Sequence, residues 1–125
     1  MAELTISIAN TWWLSANQRH HWAAKARRTA YVRELAAWSA RTERLPRFQR
    51  VHITAFIGYP TAAKADPENA APSVKACIDG IKDAGVIPDD NSDHVIGPDY
   101  RRETGKAPRG HHTIRLVLTD QEVRF

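Results

Sequence analysis

Two segments in the first half of the chain alternate apolar and polar residues, as β-strands with one buried face do. In the first segment Leu4, Ile6 and Ile8 are separated by polar residues, which predicts an opening strand. In the second, apolar residues occupy alternate positions from Val51 to Ile57, and the intervening positions are also partly apolar. We therefore expect this second strand near the middle of a sheet.

Two other segments have the composition and spacing of helices. The run from His21 to Arg41 is rich in Ala, Arg and Glu and contains neither Gly nor Pro, which predicts a long helix. Its expected apolar stripe comprises Trp22, Ala26, Thr29, Val32 and Ala36, with Trp38 as a further candidate. A second helix is predicted from Pro72 to Ala84, because Pro suits the first helical turn and Gly85 suits the termination.

The remaining segments complete an α+β pattern. Tyr59 to Ala71 contains two prolines and no sustained period, which predicts a loop. His94 to Ile96 and Thr113 to Leu118 predict two further strands, separated by a basic loop from Gly97 to Gly110 that we expect to be mobile. The order β-α-β-α-β-β predicts an α+β fold, with a small mixed sheet packed against two helices. At 125 residues and 42% hydrophobic composition, residues 1–125 are expected to form a single domain.

Charge is segregated along the chain, although the net charge is only +4. Basic residues outnumber acidic ones between Gln18 and Arg50, acidic residues dominate between Lys64 and Asp99, and basic residues return from Arg101 onward. A nuclease needs this combination, since a cationic surface holds phosphates and a local anionic cluster holds a metal ion. Alternatively, these charged segments are ordinary solvent-exposed surfaces with no role in binding.

Localisation signals and disulfide chemistry are not evident in the sequence. No apolar run approaches the roughly 20 residues that cross a bilayer, and the chain does not open on a basic segment followed by an apolar one. The single cysteine, Cys77, cannot form an internal disulfide or supply a multi-cysteine zinc site. We expect a cytoplasmic protein that makes no contact with membranes.

Three carboxylates stand at positions from which they can converge. Asp66 and Glu68 lie two residues apart after a predicted strand, so in an extended backbone their side chains point the same way. Asp90 follows the second helix, and it approaches them if that helix folds back. Such hard oxygen ligands suit Mg²⁺, with Mn²⁺ as a substitute. A metal ion held there would favour phosphodiester hydrolysis by polarising the phosphoryl oxygen and lowering the pKa of an attacking water.

The second predicted helix adds a lysine to this region. Lys75 and Asp79 are four residues apart and share a helix face. Lys75 can stabilise negative charge on the phosphorane or position the nucleophile during hydrolysis. Asp79 fits a salt bridge with Lys75 or Lys82 as well as it fits a catalytic role. Asp89 is expected either to cap the turn before Asp90 or to assist it.

This pattern resembles the core motif of the RusA-type Holliday junction resolvases of phages and prophages. That motif is Asp, any residue, Asp, Asn, then a lysine, a helix, and a Gly-containing turn into paired aspartates. The matching residues here are Asp66, Asn69, Lys75, Asp79, Gly85, Asp89 and Asp90. The segment from Leu14 to His21, called the entry loop below, is similar to the family's entry loop, and the order of elements matches over nearly the whole chain. Glu68 stands where the family usually has a second aspartate, and the interval from Asn69 to Lys75 is longer than in the best-known members.

The resemblance implies a Mg²⁺-dependent crossover junction endodeoxyribonuclease. Such an enzyme resolves four-way junctions and other branched DNA in recombination, repair or phage DNA processing. It implies catalytic roles for Asp66, Glu68, Lys75 and Asp90, metal binding by the three carboxylates of that set, and accessory roles for Asn69, Asp79 and Asp89. It also implies a homodimer on the two-fold symmetric junction, in the cytoplasm of a bacterium or a phage-infected cell. A non-catalytic DNA-binding protein with the same fold, or an acid-rich protein-interaction module, are the alternatives.

DNA contacts are expected from polar and basic residues of the entry loop, the long helix and the late basic loop. They are Asn17, Arg19, His21, Arg27, Arg28, Arg101, Arg102, Lys106 and Arg109. Trp12 and Trp13 either stack on an unpaired base or pack within the protein, and packing is the favoured interpretation. A histidine-metal site is disfavoured, because the histidines at 20–21 and 111–112 are adjacent pairs that rarely converge on one ion.

Overall fold

The computed structural model describes residues 1–121, which form a mixed four-stranded sheet and two long helices. The strands are β1 (Ala2–Ala9), β2 (Val51–Gly58), β3 (Val95–Arg102) and β4 (His111–Asp120). The helices are α1 (Trp22–Thr42) and α2 (Ala71–Asp83), and a short 3-10 helix (Pro67–Ala70) directly precedes α2. The predicted order β-α-β-α-β-β and the α+β class are therefore confirmed. The predicted domain of residues 1–125 includes residues 122–125, which lie outside the described part.

The sheet has the spatial order β1-β4-β2-β3, so β2 is an inner strand, as predicted. Strand β4 runs antiparallel to both β1 and β2, whereas β3 runs parallel to β2. The register places Ile6 opposite Ile114 and Ala55 opposite Leu116, so apolar side chains align across three strands. These side chains are buried in one core with the apolar residues of both helices. The other face of the sheet carries half-buried residues such as Phe56 and Arg115.

The two helices pack closely because α2 contains a glycine at their crossing. A Cβ atom added to Gly80 would lie 2.4 Å from the carbonyl oxygen of Arg33 and 2.7 Å from the Cβ of Ala36. The side chains of Arg33 and Asp83 join the helices at the surface, with Nε to Oδ2 and Nη2 to Oδ1 distances of 2.5 and 2.8 Å. The helix crossing and this ion pair together set the position of α2 against α1, and therefore which residues of α2 face solvent.

The expected apolar stripe of α1 is only partly correct. Val32 and Ala36 are buried as predicted, together with Ala37 and Ala40. The predicted core residues Trp22 and Trp38 are instead 77% and 64% exposed, and Ala26 is exposed as well. The close approach of Gly80 accounts for the small buried side chains at Ala36 and Ala37, where an indole would not fit.

Part of the predicted mobile loop is a strand. Residues 97–102 belong to β3, which pairs with β2 along its length, so the expectation of a loop from Gly97 to Gly110 is wrong for this part. The Arg102 guanidinium donates to the carbonyl oxygens of Thr61 and Ala63 at 3.1 and 2.8 Å. The end of β3 thus holds the segment that precedes the 3-10 helix. Within residues 1–121, neither helix has the length and apolarity required to cross a bilayer.

Candidate functional site

Lys75 connects two carboxylates that come from different parts of the chain. Its Nζ donates to Oδ1 of Asp79 at 2.8 Å, one helical turn further along α2, and to Oδ2 of Asp90 in the segment after the helix. The hydrogen bond from Lys75 holds the pKa of Asp90 far below its usual range. The hydrogen bonds that Lys75 donates to Asp79 and Asp90 in turn raise the pKa of Lys75. Lys75 and Asp90 are therefore both charged near neutral pH. The segment after α2 returns to the helix, as predicted.

Asp89 orders the turn that positions Asp90. Its Oδ1 accepts a hydrogen bond from the backbone N–H of Asp90 at 2.7 Å, and its Oδ2 lies 3.4 Å from the Asn91 amide nitrogen. The Lys82 ammonium lies 3.7 Å from the same carboxylate. Of the two predicted roles for Asp89, these contacts correspond to the capping role.

Asp66 caps the 3-10 helix and lines a cavity. Its Oδ1 accepts a hydrogen bond from the Glu68 N–H at 3.0 Å, and its carbonyl oxygen accepts one from the Asn69 N–H at 3.0 Å. The cavity has a volume of about 440 Å³ and lies between the entry loop, the segment before α2 and the start of β4. Asp66 and Asn69 both line it, together with Trp13 and Asn17. We call it the entry-loop cavity.

Glu68 faces a different part of the surface. The expectation that Asp66 and Glu68 point the same way assumed an extended backbone, and it is wrong because residues 67–70 form a 3-10 helix. With three residues per turn, side chains two positions apart diverge. Glu68 lines a separate groove of about 450 Å³ with Tyr100 and Arg101. Burial raises the pKa of Tyr100, and the negative charge of Glu68 raises it further.

The predicted carboxylates are accordingly distributed over neighbouring surfaces. Asp66 lies in the entry-loop cavity, Glu68 in the groove beside β3, and Asp90 in the ion-pair cluster on α2. Within residues 1–121, no group of three or more carboxylate, imidazole or thiolate side chains lies close enough to hold one metal ion. The structure therefore brings together Lys75, Asp79 and Asp90, but not the three predicted metal ligands.

The entry loop is attached to the start of α2 by a buried serine that sequence reasoning missed. The Ser73 hydroxyl donates to the carbonyl oxygen of Leu14 at 2.7 Å and accepts from the N–H of the same residue at 2.9 Å. The N–H of Ala16 donates to the carbonyl oxygen of Asn69 at 2.8 Å. These bonds hold the entry loop next to the 3-10 helix, and no local signal in the sequence indicates them.

Aromatic rings line one side of the entry-loop cavity, and two of them were also missed. Trp13 and His112 stack with centroids 4.3 Å apart and an interplanar angle of 11°. Tyr59 contacts His112 edge-on at 5.5 Å. Burial lowers the pKa of His112 and raises that of Tyr59, so both rings are neutral near pH 7. His112 Nδ1 also lies 2.7 Å from Oδ1 of Asn10.

The strand alternation contains a signal for these two rings. His112 continues the buried series Ile114, Leu116 and Leu118 by one step toward the start of β4, so it shares their face of the sheet. Tyr59 extends the buried series of β2 in the same way, immediately after Gly58. Because Gly58 pairs with Thr113, the next step of the antiparallel ladder brings Tyr59 beside His112.

Some of the predicted DNA-binding residues have structural partners and others do not. The exposed basic residues without a side-chain partner among residues 1–121 are Arg19, Arg27, Arg101, Lys106 and Arg109. His21 caps α1, because its Nδ1 accepts from the Ala23 N–H at 3.3 Å. Arg28 donates to the carbonyl oxygen of Trp13 at 3.2 Å, and Arg102 holds the segment before the 3-10 helix as described above. Trp13 is buried and Trp12 stacks on Tyr31 at 4.4 Å, in agreement with the favoured packing role.

Comparisons with protein-family models and with curated proteins find no match to this chain. The resemblance to RusA-type resolvases therefore depends on the motif residues alone.

Proposed function

We propose that this protein is a Mg²⁺-dependent, structure-selective endodeoxyribonuclease that cuts branched DNA and belongs with the RusA-type resolvases. The observation that carries the proposal is the ion pair between Lys75 and Asp90. It joins a helix residue to a loop residue at two positions of the resembled motif. Both groups are ionised near neutral pH, and the Lys75 side chain is 62% exposed. A charged lysine beside an ionised carboxylate at the surface suits contact with a phosphodiester and a metal ion.

The chemistry of the donors suits a hard divalent cation. Asp90 stays ionised, and Asp66 has one carboxylate oxygen without a hydrogen-bond partner among residues 1–121. We propose that these two carboxylates, which lie on separate surfaces in this structure, come together on Mg²⁺, with Glu68 as a further ligand after rotation out of its groove. A small number of protein ligands suffices, because Mg²⁺ usually retains waters and binds substrate phosphate oxygens. When bound, the ion supplies Lewis-acid activation of the phosphate and a more acidic water.

Lys75 would contribute positive charge at the same surface. Asp79 positions its ammonium through the 2.8 Å hydrogen bond along α2. Lys75 also offsets the repulsion between Asp90 and an approaching phosphate. Without Lys75, the carboxylates of Asp79 and Asp90 would both repel the phosphate. The ammonium can donate a hydrogen bond to a phosphate oxygen as negative charge develops there.

The exposed basic residues would hold the DNA backbone around this site. Arg19 and Arg27 lie on the entry loop and α1, and Lys106 and Arg109 lie in the loop before β4. Such contacts orient a duplex without reading its sequence. We further propose that the protein acts as a homodimer, because two active sites related by a two-fold axis match the symmetry of a four-way junction.

A cleavage assay with matched aspartate variants tests the nuclease proposal. An end-labelled four-way junction incubated with the protein and Mg²⁺ is expected to yield nicked duplexes. Asp90→Asn is expected to reduce the rate by about 100-fold or more while retaining junction binding, because it removes a metal ligand and one negative charge near DNA. Asp93→Asn, an exposed change three residues away, should cut normally. Junction binding without cleavage in both Mg²⁺ and Mn²⁺ would refute the nuclease proposal.

The same ion pair also favours a second candidate, a DNA-binding protein without nuclease activity. The Lys75 ammonium already neutralises Asp90, so the surface can contact phosphates without a metal ion. In that case the junction should stay uncut with Mg²⁺ and with Mn²⁺, and junction binding should require neither ion. Binding to a junction and to a plain duplex should then be compared across salt concentrations, since a junction-specific protein keeps a preference that salt does not remove.

A further inference from the structure

The entry-loop cavity combines features that recognise a nucleobase. We propose that it binds one unpaired base of a DNA strand, beside the Asp66 carboxylate. The proposed function supplies only the source of the base, a strand that is unpaired near a branch point. The fit of the base itself depends on the rings, amides and charges that line the cavity.

The first feature is the group of neutral aromatic rings. Trp13 and His112 are stacked in parallel, and Tyr59 meets His112 edge-on at 5.5 Å. The Arg102 guanidinium lies 4.9 Å from the Tyr59 ring centre and helps to fix that ring. Every nucleobase is a flat aromatic group. Because Trp13 and His112 already stack on each other, these rings offer a base in the cavity their remaining exposed edges and faces.

The second feature is a pair of side-chain amides without protein partners. Asn17 and Asn69 both line the cavity, and neither side chain has a hydrogen-bond partner among residues 1–121. An amide carries both a donor and an acceptor, as does the hydrogen-bonding edge of a base. The backbone of Asn69 is fixed by bonds to Asp66 and Ala16, so its side chain projects from a rigid position. These amides are therefore available to read a base edge.

The third feature is the distribution of charge. Without a bound metal ion, the Asp66 carboxylate would repel a phosphate placed inside the cavity, whereas a neutral base meets no such penalty. Lys64 also lines the cavity and has no partner among residues 1–121, so it can hold the phosphate attached to the base. The volume of about 440 Å³ lies within the roughly 300–1,000 Å³ range of small-molecule sites. A base inside the cavity with its phosphate at Lys64 would pair that phosphate with a cation and keep it away from the Asp66 carboxylate.

Nuclear magnetic resonance of the isotope-labelled full chain tests the inference without any cleavage. Deoxycytidine monophosphate and a mixed-sequence octanucleotide are titrated separately, and 2-deoxyribose 5-phosphate serves as the control without a base. Both base-containing ligands should shift the side-chain amide signals of Asn17 and Asn69 and the indole signal of Trp13. The indole of the exposed Trp38, which does not line the cavity, is the internal reference. The octanucleotide should bind at least about tenfold more tightly than the mononucleotide, because it adds backbone contacts.

A matched pair of amide variants links these shifts to the proposed contacts. Asn17→Ala should weaken octanucleotide binding by about three- to tenfold, the size expected for one hydrogen bond. Gln49→Ala removes an exposed amide outside the cavity and should leave the affinity unchanged. Both substitutions are at exposed positions, so loss of folding is not expected.

Three results would overturn the inference. One is the absence of shifts at Asn17, Asn69 and Trp13, and another is equal shifts with the base-free phosphate. The third is an octanucleotide affinity no higher than that of the mononucleotide, which would indicate a site for free nucleotides. Failure of the nuclease proposal would look different, because a protein that cuts no junction can still show base-dependent shifts in this cavity.

Discussion

The Ser73 hydroxyl forms hydrogen bonds with both backbone polar groups of Leu14, a residue 59 positions away. Ser73 is the one fully buried polar side chain within residues 1–121. Through it, the start of α2 holds the beginning of the entry loop beside Asn69 and Asp66. The geometry of the entry-loop cavity therefore depends on a residue that neither lines it nor takes part in the proposed chemistry.

Replacing this serine should destabilise the protein. In Ser73→Ala the N–H and carbonyl groups of Leu14 lose their buried partner, which typically costs about 1–3 kcal/mol. The free energy of unfolding in urea should fall by that amount, and the amide hydrogens of the entry loop should exchange faster. The exposed Ser92→Ala serves as the matched control, with a change within about 0.5 kcal/mol. Equal stability of the two variants would mean that the serine bonds do not hold the loop.

The helix crossing provides a second prediction. Alanine is favoured over glycine within a helix by about 1 kcal/mol, so Gly80→Ala would stabilise an isolated α2. In the protein the new methyl group would collide with the backbone of Arg33 and the side chain of Ala36. Since backbone atoms cannot move aside cheaply, we expect a net loss of about 1–3 kcal/mol. Thermal and urea unfolding of Gly80→Ala measure this change in stability. A gain in stability would show that the two helices leave room for the added methyl group.

The strands and helices could be predicted from local sequence patterns, because each pattern reflects the physical requirements of one element. The alternation at Leu4, Ile6 and Ile8 and the helical run after His21 each match an observed element. The burial of α1 could not be predicted in the same way. Which face of that helix is covered depends on Gly80, which lies on another helix and sets how close the two backbones come.

The candidate site was predictable only in part, for a similar reason. The pairing of Lys75 with Asp79 follows from a four-residue helical spacing, and the return of Asp90 follows from a short turn. The side chains of Asp66 and Glu68 diverge because of a single 3-10 turn. The Pro and Asn residues in this segment do not by themselves predict such a turn. One such turn changes the directions in which neighbouring side chains point, even where the sequence identifies the right residues.

Acid should weaken the protein in a way that reports on Asp90. The hydrogen bond from Lys75 lowers the pKa of Asp90 in the folded chain, so the ionised carboxylate stabilises the fold. That contribution is fully present above the unfolded pKa of about 3.9 and is lost as the pH falls below it toward the folded value. The contribution should be about 1 kcal/mol or less, because the Lys75 partner is 62% exposed and screened by solvent.

Urea unfolding of the wild type and Asp90→Asn across pH 7 to pH 2 measures this contribution. The wild type should be the more stable of the two at pH 7, and the difference should shrink below about pH 4, where the carboxylate begins to protonate. Asp93→Asn should follow the wild-type curve, since Asp93 is exposed and lies outside the ion pair of Lys75 and Asp90. A constant difference between wild type and Asp90→Asn at every pH would contradict the proposed ion-pair contribution.

Magnesium should stabilise the folded protein if Asp66 and Asp90 bind it as proposed. An ion that binds only the folded state adds RT ln(1 + [L]/Kd), which is about 1.4 kcal/mol at a concentration ten times the dissociation constant. Thermal unfolding with and without Mg²⁺ should show a rise in Tm that saturates with concentration. The rise should be lost in Asp90→Asn and kept in Asp93→Asn.

Glu68→Gln tests whether Glu68 also binds the ion, because Glu68 faces the groove beside β3. If Glu68→Gln abolishes the Mg²⁺ effect, Glu68 leaves that groove to bind the ion, whereas an unchanged effect assigns the ion to Asp66 and Asp90 alone.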